Sequence, residues 1–169
     1  MQNPVVTIEM MNGDVIKAEL YPEVAPNTVN NFLSLVNKGF YNGLTFHRIA
    51  EGYYGPFVAQ GGDPKGDGTG GSANKIKGEF LQNGVRNDLS HIKGVISMAR
   101  RGDDMNSASC QFFICDATSA HLDDNYASFG YVLAGMEVVD KIAAVDTSGS
   151  DKPYDNVIIE KVVFVEPLK

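Results

Sequence analysis

Short runs of β-branched, aromatic and other apolar residues alternate with turn residues along most of the chain, a pattern that predicts a mainly β protein. The first two runs, 5–10 and 15–20, are joined through Asn12-Gly13, which is a strong signal for a hairpin turn. Further strands are predicted at 45–49, 57–59, 94–99, 111–115, 129–134 and 157–165.

Two stretches instead place their apolar residues at helical spacing. Residues 26–38 begin with a proline suited to a first helical turn and are followed by a glycine, and their apolar stripe consists of Val29, Phe32, Leu33 and Val36. Residues 136–144 predict a second helix, whose apolar positions are Val138, Val139 and Ile142.

The order of these elements indicates the fold class. The strands come in runs rather than in strict alternation with helices, which favours antiparallel pairing. A closed barrel removes exposed strand edges and lets the two helices plug its ends, while a sandwich is the alternative. No repeat or linker divides the 169 residues, so residues 1–169 are predicted to form one domain.

Composition and charge restrict the function classes. A net charge of −7 argues against binding of nucleic acid, which requires a basic face. The N-terminal residues resemble no signal peptide, and no apolar run approaches the roughly 20 residues of a membrane helix. Cys110 and Cys115 fit neither a disulfide framework nor a zinc motif, which suits reduced thiols in the cytoplasm.

A glycine-rich segment, 61–74, invites two hypotheses that its sequence does not support. As a phosphate loop it lacks the Gly-Lys-Ser/Thr ending. As a calcium loop it has Asp63 and Asp67 in suitable places, but Lys65 occupies the third position and Asn74 the twelfth, where a glutamate is needed. The three histidines, His47, His91 and His121, lie far apart and are predicted to be satisfied surface or core residues rather than ligands.

The stretch 44–63 combines groups that suggest chemistry. It brings an always-charged fork donor, Arg48, an apolar run at 57–59 and a neutral amide, Gln60, onto two neighbouring predicted strands. From this stretch alone, a sheet arginine paired with a carboxylate and a functional arginine are equally good interpretations.

Seven segments, in order along the chain, carry a family resemblance: FHRI at 46–49, FxxQGGD at 57–63 (x being any residue), GTGG at 68–71, SMA at 97–99, QFFI at 111–114, LD at 122–123 and FG at 129–130. Together they resemble the cyclophilin family of peptidyl-prolyl cis-trans isomerases. The resemblance implies a closed eight-stranded antiparallel barrel capped by two helices. It also implies an isomerase that acts on proline-containing peptides and unfolded chains, as a monomer and without metal or other cofactor.

The resemblance also assigns residues to roles. Arg48 is implied as the catalytic residue, and a pocket for the proline ring is implied from Phe57, Val58, Phe113 and Leu122. Gln60 and the backbone near Arg100 are implied to hold the peptide on either side of the rotating bond. The implied substrate-binding set is completed by Ala99, Gln111, His121 and Tyr126.

The sequence departs from the family pattern at several points. Arg48 and Gln60 are twelve positions apart, about four more than in the usual motif, with 53–56 as the insertion, and the loop between Ala99 and Gln111 is slightly long. Three substitutions affect the pocket: Val58 where methionine is common, Tyr126 in place of a histidine, and His121 where many eukaryotic members have tryptophan. These departures affect ligand preference more than activity and imply weak binding of cyclosporin.

Two rival functions belong to other classes. One is a non-catalytic module or chaperone that binds proline-containing peptides in the same pocket. The other is a calcium- or nucleotide-binding protein that uses the glycine-rich segment. Arg48 favours the enzyme, because binding alone does not require an arginine aimed at the prolyl nitrogen.

Overall fold

The computed structural model describes residues 3–165 of the chain. Within this part, two α-helices and eight β-strands follow one another in the order β1 (Val5–Met10), β2 (Val15–Leu20), α1 (Pro26–Asn37), β3 (Arg48–Gly52), β4 (Gly55–Gly61), β5 (Val95–Met98), β6 (Phe112–Cys115), β7 (Ser128–Ala134), α2 (Met136–Ala143) and β8 (Ile159–Val165). Two short 3₁₀ turns, Leu81–Asn83 and Ala120–Leu122, lie in the long connections. The mainly β prediction with two helices is confirmed.

The eight strands form one antiparallel sheet in the order β3-β4-β6-β5-β7-β2-β1-β8, curved into a half-barrel. The prediction of a closed barrel is wrong, because the sheet is open between β3 and β8. Three backbone hydrogen bonds of 2.7–2.9 Å join residues 43–46, before β3, to residues 157–159 at the start of β8, around an isolated bridge between Thr45 and Ile158. Beyond it, the amide of Ile49 donates to the carbonyl of Asp151 at 2.8 Å, so the loop before β8 occupies the outer edge of β3.

The two helices bury the apolar residues that their spacing predicts, except that Leu33 of α1 is only partly buried and Leu35 is buried in addition. Helix α1 has Pro26 at its first turn, and its buried residues are Thr28, Val29, Phe32, Leu35 and Val36. Helix α2 buries Val138, Val139, Ile142 and Ala143. Because both apolar stripes are covered by the sheet, the helices are held by packing more than by intrinsic helix propensity.

The main core is dominated by aromatic rings from α1 and the central strands. Phe32 lies 5.2–5.5 Å, centroid to centroid, from the rings of Tyr41, Phe112 and Phe129. A second, smaller cluster lies apart from it and consists of Ala50, Val58, Val95, Phe113 and Cys115. Its residues come from the four neighbouring strands β3 to β6, and Ala50, Val58 and Phe113 among them line the candidate site, so the packing of these strands supports it.

The glycine-rich segment 61–74 is a loop built around one buried carboxylate. Asp63 accepts backbone N–H groups of Lys65, Asp67 and Gly68 at 2.6–3.2 Å. In residues 3–165 no three acidic, histidine or cysteine side chains cluster closely enough to hold a metal ion.

Three further findings concern the cysteines and the helices. Cys110 and Cys115 are both buried and free. Burial raises the pKa of the Cys110 thiol to about 11 and that of Cys115 to about 12. Of the helices described, none has the length and apolarity needed to cross a membrane.

Candidate active site

A chain of hydrogen bonds starts at Arg48, at the beginning of β3. The residue opposite it on β4 is Gln60, and Arg48 Nη1 donates to Gln60 Oε1 at 3.1 Å. Gln60 Nε2 donates to Gln111 Oε1 at 2.9 Å, and Gln111 Nε2 donates to the carbonyls of Gly68 and Gly70 at 3.1 and 2.8 Å. Each amide can satisfy these partners in one orientation alone, so the glycine-rich loop fixes both glutamines and, through them, the arginine.

Arg48 is exposed and carries no partner of opposite charge. None of the ion pairs found among the described residues includes it. The interpretation of Arg48 as a sheet arginine paired with a carboxylate is therefore wrong. An arginine held by a neutral amide keeps its full charge and its remaining N–H groups for a ligand.

Beside Arg48 lies a cavity of about 340 Å³, formed on the face of β3, β4 and β6 that points away from the main core and closed by the segments 99–100 and 121–126. Every predicted site residue except Gln111 lines this cavity, and Ala50 lines it in addition. The complete lining consists of Arg48, Ala50, Phe57, Val58, Gln60, Ala99, Arg100, Phe113, His121, Leu122 and Tyr126. Sequence reasoning missed Ala50, because a small residue in a strand has no signal of its own.

Phe113 forms the apolar floor of this cavity. It lies on β6 between Gln60 of β4 and Ser97 of β5, and it is 4% exposed. Its ring meets that of Tyr126 edge to face at 5.8 Å between centroids. On one wall, Phe57 and His121 contact each other with their centroids 5.3 Å apart. The cavity is therefore lined by aromatic surface on two sides, with the guanidinium of Arg48 at its margin.

A buried histidine supports the floor from behind. The His91 ring stacks on Phe113 with centroids 5.9 Å apart and 20° between the planes. Its Nδ1 lies 2.9 Å from Asp123 Oδ1 and its Nε2 lies 2.9 Å from Ser97 Oγ. Burial lowers the pKa of His91, so the ring is neutral at pH 7; Nδ1–H then donates to the carboxylate and Nε2 accepts from the serine hydroxyl.

The three histidines differ in how far they meet the prediction. His91 is a satisfied core residue and His121 is a surface residue, as predicted. His47 is buried, but neither ring nitrogen has a hydrogen-bond partner among the described residues. Burial lowers the pKa of His47, which keeps this ring neutral as well. The support that His91 and Asp123 give to Phe113 was missed, because 32 positions separate the two and no local pattern connects them.

The rim of the cavity is formed by Arg100. Its guanidinium stacks over Phe80 at 5.1 Å and over Tyr126 at 4.9 Å, and its Nε donates to the carbonyl of Asn125 at 2.9 Å. The main-chain N–H and C=O groups of Arg100 make no hydrogen bond within the described part of the chain. They are therefore free to bind the backbone of a peptide, as the side chain is held aside.

A second cavity, of about 580 Å³, shares Gln60, Ala99 and Arg100 with the first. The glycine-rich loop and the segment 101–111 line the rest of it, and Gln111 lies here rather than in the first cavity. Its lining is more polar and includes Lys75 and Arg101. An extended peptide that passes Arg100 can thus contact both cavities.

Comparison of the sequence with known families and proteins gives consistent matches. Residues 5–164 match the family described as "Cyclophilin type peptidyl-prolyl cis-trans isomerase/CLD". The "Peptidyl-prolyl cis-trans isomerase" of Helicobacter pylori is 42% identical over 164 residues, which are 96% of this chain and 87% of that protein. The "Peptidyl-prolyl cis-trans isomerase CYP18-1" of Arabidopsis thaliana is 38% identical over 165 residues, 96% of this chain and 98% of the relative.

Solved structures show the same similarity in three dimensions. A crystal structure of a cyclophilin type peptidyl-prolyl cis-trans isomerase from Cryptosporidium parvum superimposes with a TM-score of 0.86 at 30% identity, over 98% of this chain and 99% of that one. A second structure of the Cryptosporidium protein, determined in the presence of the dipeptide Ala-Pro, has a TM-score of 0.85 at 30% identity, over 96% and 99% of the two chains.

Proposed function

The chain belongs to the cyclophilin-type peptidyl-prolyl cis-trans isomerases, and from this premise we propose that Arg48 and the cavity beside it carry the activity. Its substrates are proline-containing peptides. The observation that carries the proposal is the position of an unpaired arginine, held by Gln60, at the margin of a cavity floored by Phe113.

The reaction needs no bond to be broken by the protein. The C–N bond of an X–Pro unit has partial double-bond character, so rotation faces a barrier of about 18–20 kcal/mol and takes tens to hundreds of seconds without catalysis. As the bond twists, conjugation is lost and the prolyl nitrogen recovers a lone pair. A hydrogen-bond donor aimed at that nitrogen binds the twisted state better than either planar state, and this differential binding lowers the barrier.

Arg48 is suited to this role because its donors are always charged. Gln60 accepts from Nη1, which leaves Nη2 and Nε for the substrate. The hydrogen-bonded glutamine pair also limits the movement of the guanidinium, so little entropy is lost when it meets the twisted bond. One charge-assisted hydrogen bond contributes about 1.5–3 kcal/mol, while a million-fold acceleration requires about 8 kcal/mol.

The remaining stabilisation is attributed to the cavity. A proline ring packed on Phe113 between Val58 and Leu122 anchors one side of the bond and excludes water. The free main-chain groups of Arg100, together with Gln60, grip the peptide backbone on either side of the rotating bond. The bond can then turn against a fixed anchor, which a loosely bound peptide does not provide.

The proposal extends to the cellular compartment, the oligomeric state and the substrates of the protein. The protein acts in the cytoplasm, as a monomer, on unfolded chains whose folding awaits an X–Pro isomerisation. Two free buried thiols support a reducing compartment. Cyclosporin binds weakly, because His121 stands at the rim in place of a larger aromatic ring.

The rival function is a module that binds proline-containing peptides without isomerising them. Two-dimensional exchange NMR on the tetrapeptide Ala-Leu-Pro-Phe separates the two, because it measures cis-trans exchange directly. We expect exchange cross-peaks at catalytic protein concentrations. Binding shifts without any increase in exchange would support the non-catalytic module and contradict the proposal.

A further inference from the structure

Two tyrosines at the tip of the β3–β4 hairpin have no role in the fold. Tyr53 and Tyr54 are 95% and 98% exposed. Their rings contact each other edge to face, 4.9 Å apart, and among the described residues neither hydroxyl makes a hydrogen bond. Aromatic rings this exposed add almost no apolar burial to folding, so the stability of the protein does not explain them.

The tip is continuous with the wall of the active-site cavity. Gly52 directly precedes Tyr53, and a Cβ atom at Gly52 would lie 3.4 Å from Cδ1 of Phe57, a lining residue. With glycine there, the Phe57 ring stays uncovered on that side. Pro56, also exposed, lies on the other strand opposite Glu51. An aromatic and apolar surface thus runs from the cavity to the tip.

The length of the hairpin fits a bound polypeptide. Arg48 and Gly52 are the two ends of β3, so Gly52 lies about 13 Å beyond the arginine and the tip begins at the next residue, about 16 Å away. An extended peptide rises about 3.3 Å per residue, so a chain with its proline in the cavity reaches the tip roughly five residues away. A tetrapeptide is too short to do so.

The chemistry of the tip indicates which substrate side chains it can bind. Tyrosine presents a large, stiff face that binds apolar side chains and proline rings at low entropic cost, which is why it is enriched at binding surfaces. From Ile49 to Gly62, Glu51 is the single charged residue, so the surface offers nothing to an acidic side chain. The occupant it suits is an apolar or aromatic flank of an unfolded chain.

We propose that Tyr53 and Tyr54 form an exosite that binds apolar residues of the substrate about four to six positions from the proline. This inference rests on the proposed function, because it places the proline in the cavity beside Arg48. The exosite makes the enzyme favour long unfolded chains over short peptides. It acts on binding and not on the rotation itself.

Three peptides and two variants test the exosite. The first peptide is Ala-Leu-Pro-Phe alone. The second, the apolar-flanked peptide, places the same four residues between flanks of six residues that carry Leu and Tyr four to six positions from the proline. The third, the Ser/Gly peptide, has the same length but carries Ser and Gly at those positions. The variants are Tyr53→Ser/Tyr54→Ser and, as a matched control, Tyr154→Ser, which changes a 72% exposed tyrosine outside the cavity. Exchange NMR supplies kcat and KM for each pair.

The expected result is specific to one peptide. For the wild type, KM for the apolar-flanked peptide is about five- to tenfold lower than for the Ser/Gly peptide, the size of effect that buried tyrosines have at interfaces. In the double variant, KM for the apolar-flanked peptide rises to that of the Ser/Gly peptide, while kcat is unchanged. The control variant Tyr154→Ser keeps the difference in KM between the two long peptides. Equal KM values for the two long peptides in the wild type would overturn the exosite, as would a double variant that loses activity on all three peptides alike.

Failure of the exosite and failure of the proposed function give different results. A wild type that does not isomerise the tetrapeptide contradicts the proposed function, and the exosite is then judged by binding. In that case the protein is titrated with each long peptide, and the NMR shifts of the amides of residues 52–56 are followed. Shifts that appear with the apolar-flanked peptide but not with the Ser/Gly peptide support the exosite. If the apolar-flanked peptide causes no such shifts, the exosite is overturned. A dimer in sedimentation that the double substitution abolishes would assign the tyrosines to self-association and also overturn the exosite.

Discussion

At the scale of the single residue, Arg48 differs from Arg86 and Arg101 in having a neutral side-chain amide as its partner. Arg86 and Arg101 pair with Asp88 and Asp103 at 2.8 and 2.9 Å, and both pairs are exposed. Exposed pairs of this kind contribute little, because water already solvates both charges. The guanidinium of Arg48 is instead held ready beside an apolar cavity.

The first prediction concerns this guanidinium. Arg48→Ala should lower kcat/KM for Ala-Leu-Pro-Phe by about ten- to a hundredfold, the loss of one charge-assisted hydrogen bond. Arg48→Lys should restore little, because an ammonium lacks the planar fork that bonds Gln60 and substrate together. Arg86→Ala, which removes an exposed charge elsewhere, is the control and should keep wild-type turnover. A folded Arg48→Ala protein with normal kcat/KM would contradict the mechanism.

The second prediction concerns the rim residue His121. A tryptophan there supplies a broad apolar face and an indole N–H, whereas the donor of a histidine depends on its tautomer. His121→Trp should raise affinity for cyclosporin by about ten- to a hundredfold and change turnover less, as measured by inhibitor titration.

The β3–β4 hairpin offers a competing explanation for weak cyclosporin binding, because its tip lies near the same rim. A variant with residues 53–56 replaced by a shorter turn tests it. If the shortened hairpin gains affinity for cyclosporin while His121→Trp does not, the assignment to His121 is wrong.

At the scale of the elements, three neighbouring strands place the site. The ladder β4-β6-β5 aligns Gln60, Phe113 and Ser97 side by side across the sheet. Residues opposite one another on adjacent strands lie about 5 Å apart, so the ladder brings the substrate-gripping amide next to the apolar floor. His91 then stacks beneath that floor.

The third prediction concerns the floor. Phe113→Ala should weaken binding of the tetrapeptide by about 1–3 kcal/mol through lost apolar burial, which appears as a higher KM. It should also lower the free energy of unfolding by about 3–5 kcal/mol, because a buried ring leaves a cavity. Phe164→Ala, at a 37% exposed ring on β8, is the control in both urea unfolding and exchange NMR. Unchanged kinetics in a folded Phe113→Ala protein would place the proline elsewhere.

The fourth prediction compares two glycines with the same backbone conformation. Gly62, directly after β4, has φ +88°, and a Cβ there would meet Tyr41 Cε1 at 2.8 Å and the Cys110 carbonyl at 3.0 Å. Gly13, in the first hairpin, has φ +92° and open space. Gly13→Ala should lower the free energy of unfolding by about 1–2 kcal/mol, because alanine is strained at this φ. Gly62→Ala should lower it by about 1–3 kcal/mol more, because the added methyl group also overpacks the core. Urea unfolding measures both losses. Equal losses would show that the core yields to the extra methyl group.

At the scale of the whole molecule, one carboxyl group connects the sheet to α2. Asp116, directly after β6, has a buried Oδ1 that accepts no hydrogen bond from the described residues. It faces Asp140 of α2, which also pairs with Lys93 at 3.0 Å. Burial and the neighbouring carboxylate raise the pKa of Asp116 to about 7. Two carboxylates side by side favour sharing one proton.

The fifth prediction follows from the sign of this shift. A carboxyl whose folded-state pKa lies above its ordinary value of 3.8 binds its proton more tightly in the folded protein, so its contribution to stability is lost as pH rises toward about 7. Asp116→Asn should therefore be more stable than the wild type at pH 8, with the difference shrinking by pH 5. Asp155→Asn, at an exposed carboxylate, controls for the loss of one charge. Parallel stability curves for Asp116→Asn and wild type between pH 5 and pH 8 would contradict the shared proton.

Two buried histidines change the stability of the protein with pH in the opposite direction to Asp116, over a neighbouring range of pH. Burial lowers the pKa of His47 and of His91 below 6.5, so the unfolded chain takes up these protons more readily. Their contribution to stability is therefore present above pH 6.5 and is lost as pH falls.

The sequence by itself determined the elements and the family. The boundaries of β1, β2 and α2 agree with the structure to within one residue, because alternation, Asn12-Gly13 and helical spacing are local properties of the chain. Arg48 and Gln60 were predicted to be neighbours for the same reason, since the two strands of a hairpin must pair. The family segments then pointed to the isomerase.

The tertiary structure alone decided the contacts between distant parts of the chain. His91 meets Asp123 across 32 positions, and the side chain of Arg100 is held between Phe80 and Tyr126. The half-barrel is open between β3 and β8, and there the carbonyl of Asp151, in the loop before β8, accepts the hydrogen bond of the Ile49 amide. Such contacts depend on which surfaces meet when the whole core packs, and the free energy that selects them is a sum over many residues, to which no local pattern corresponds.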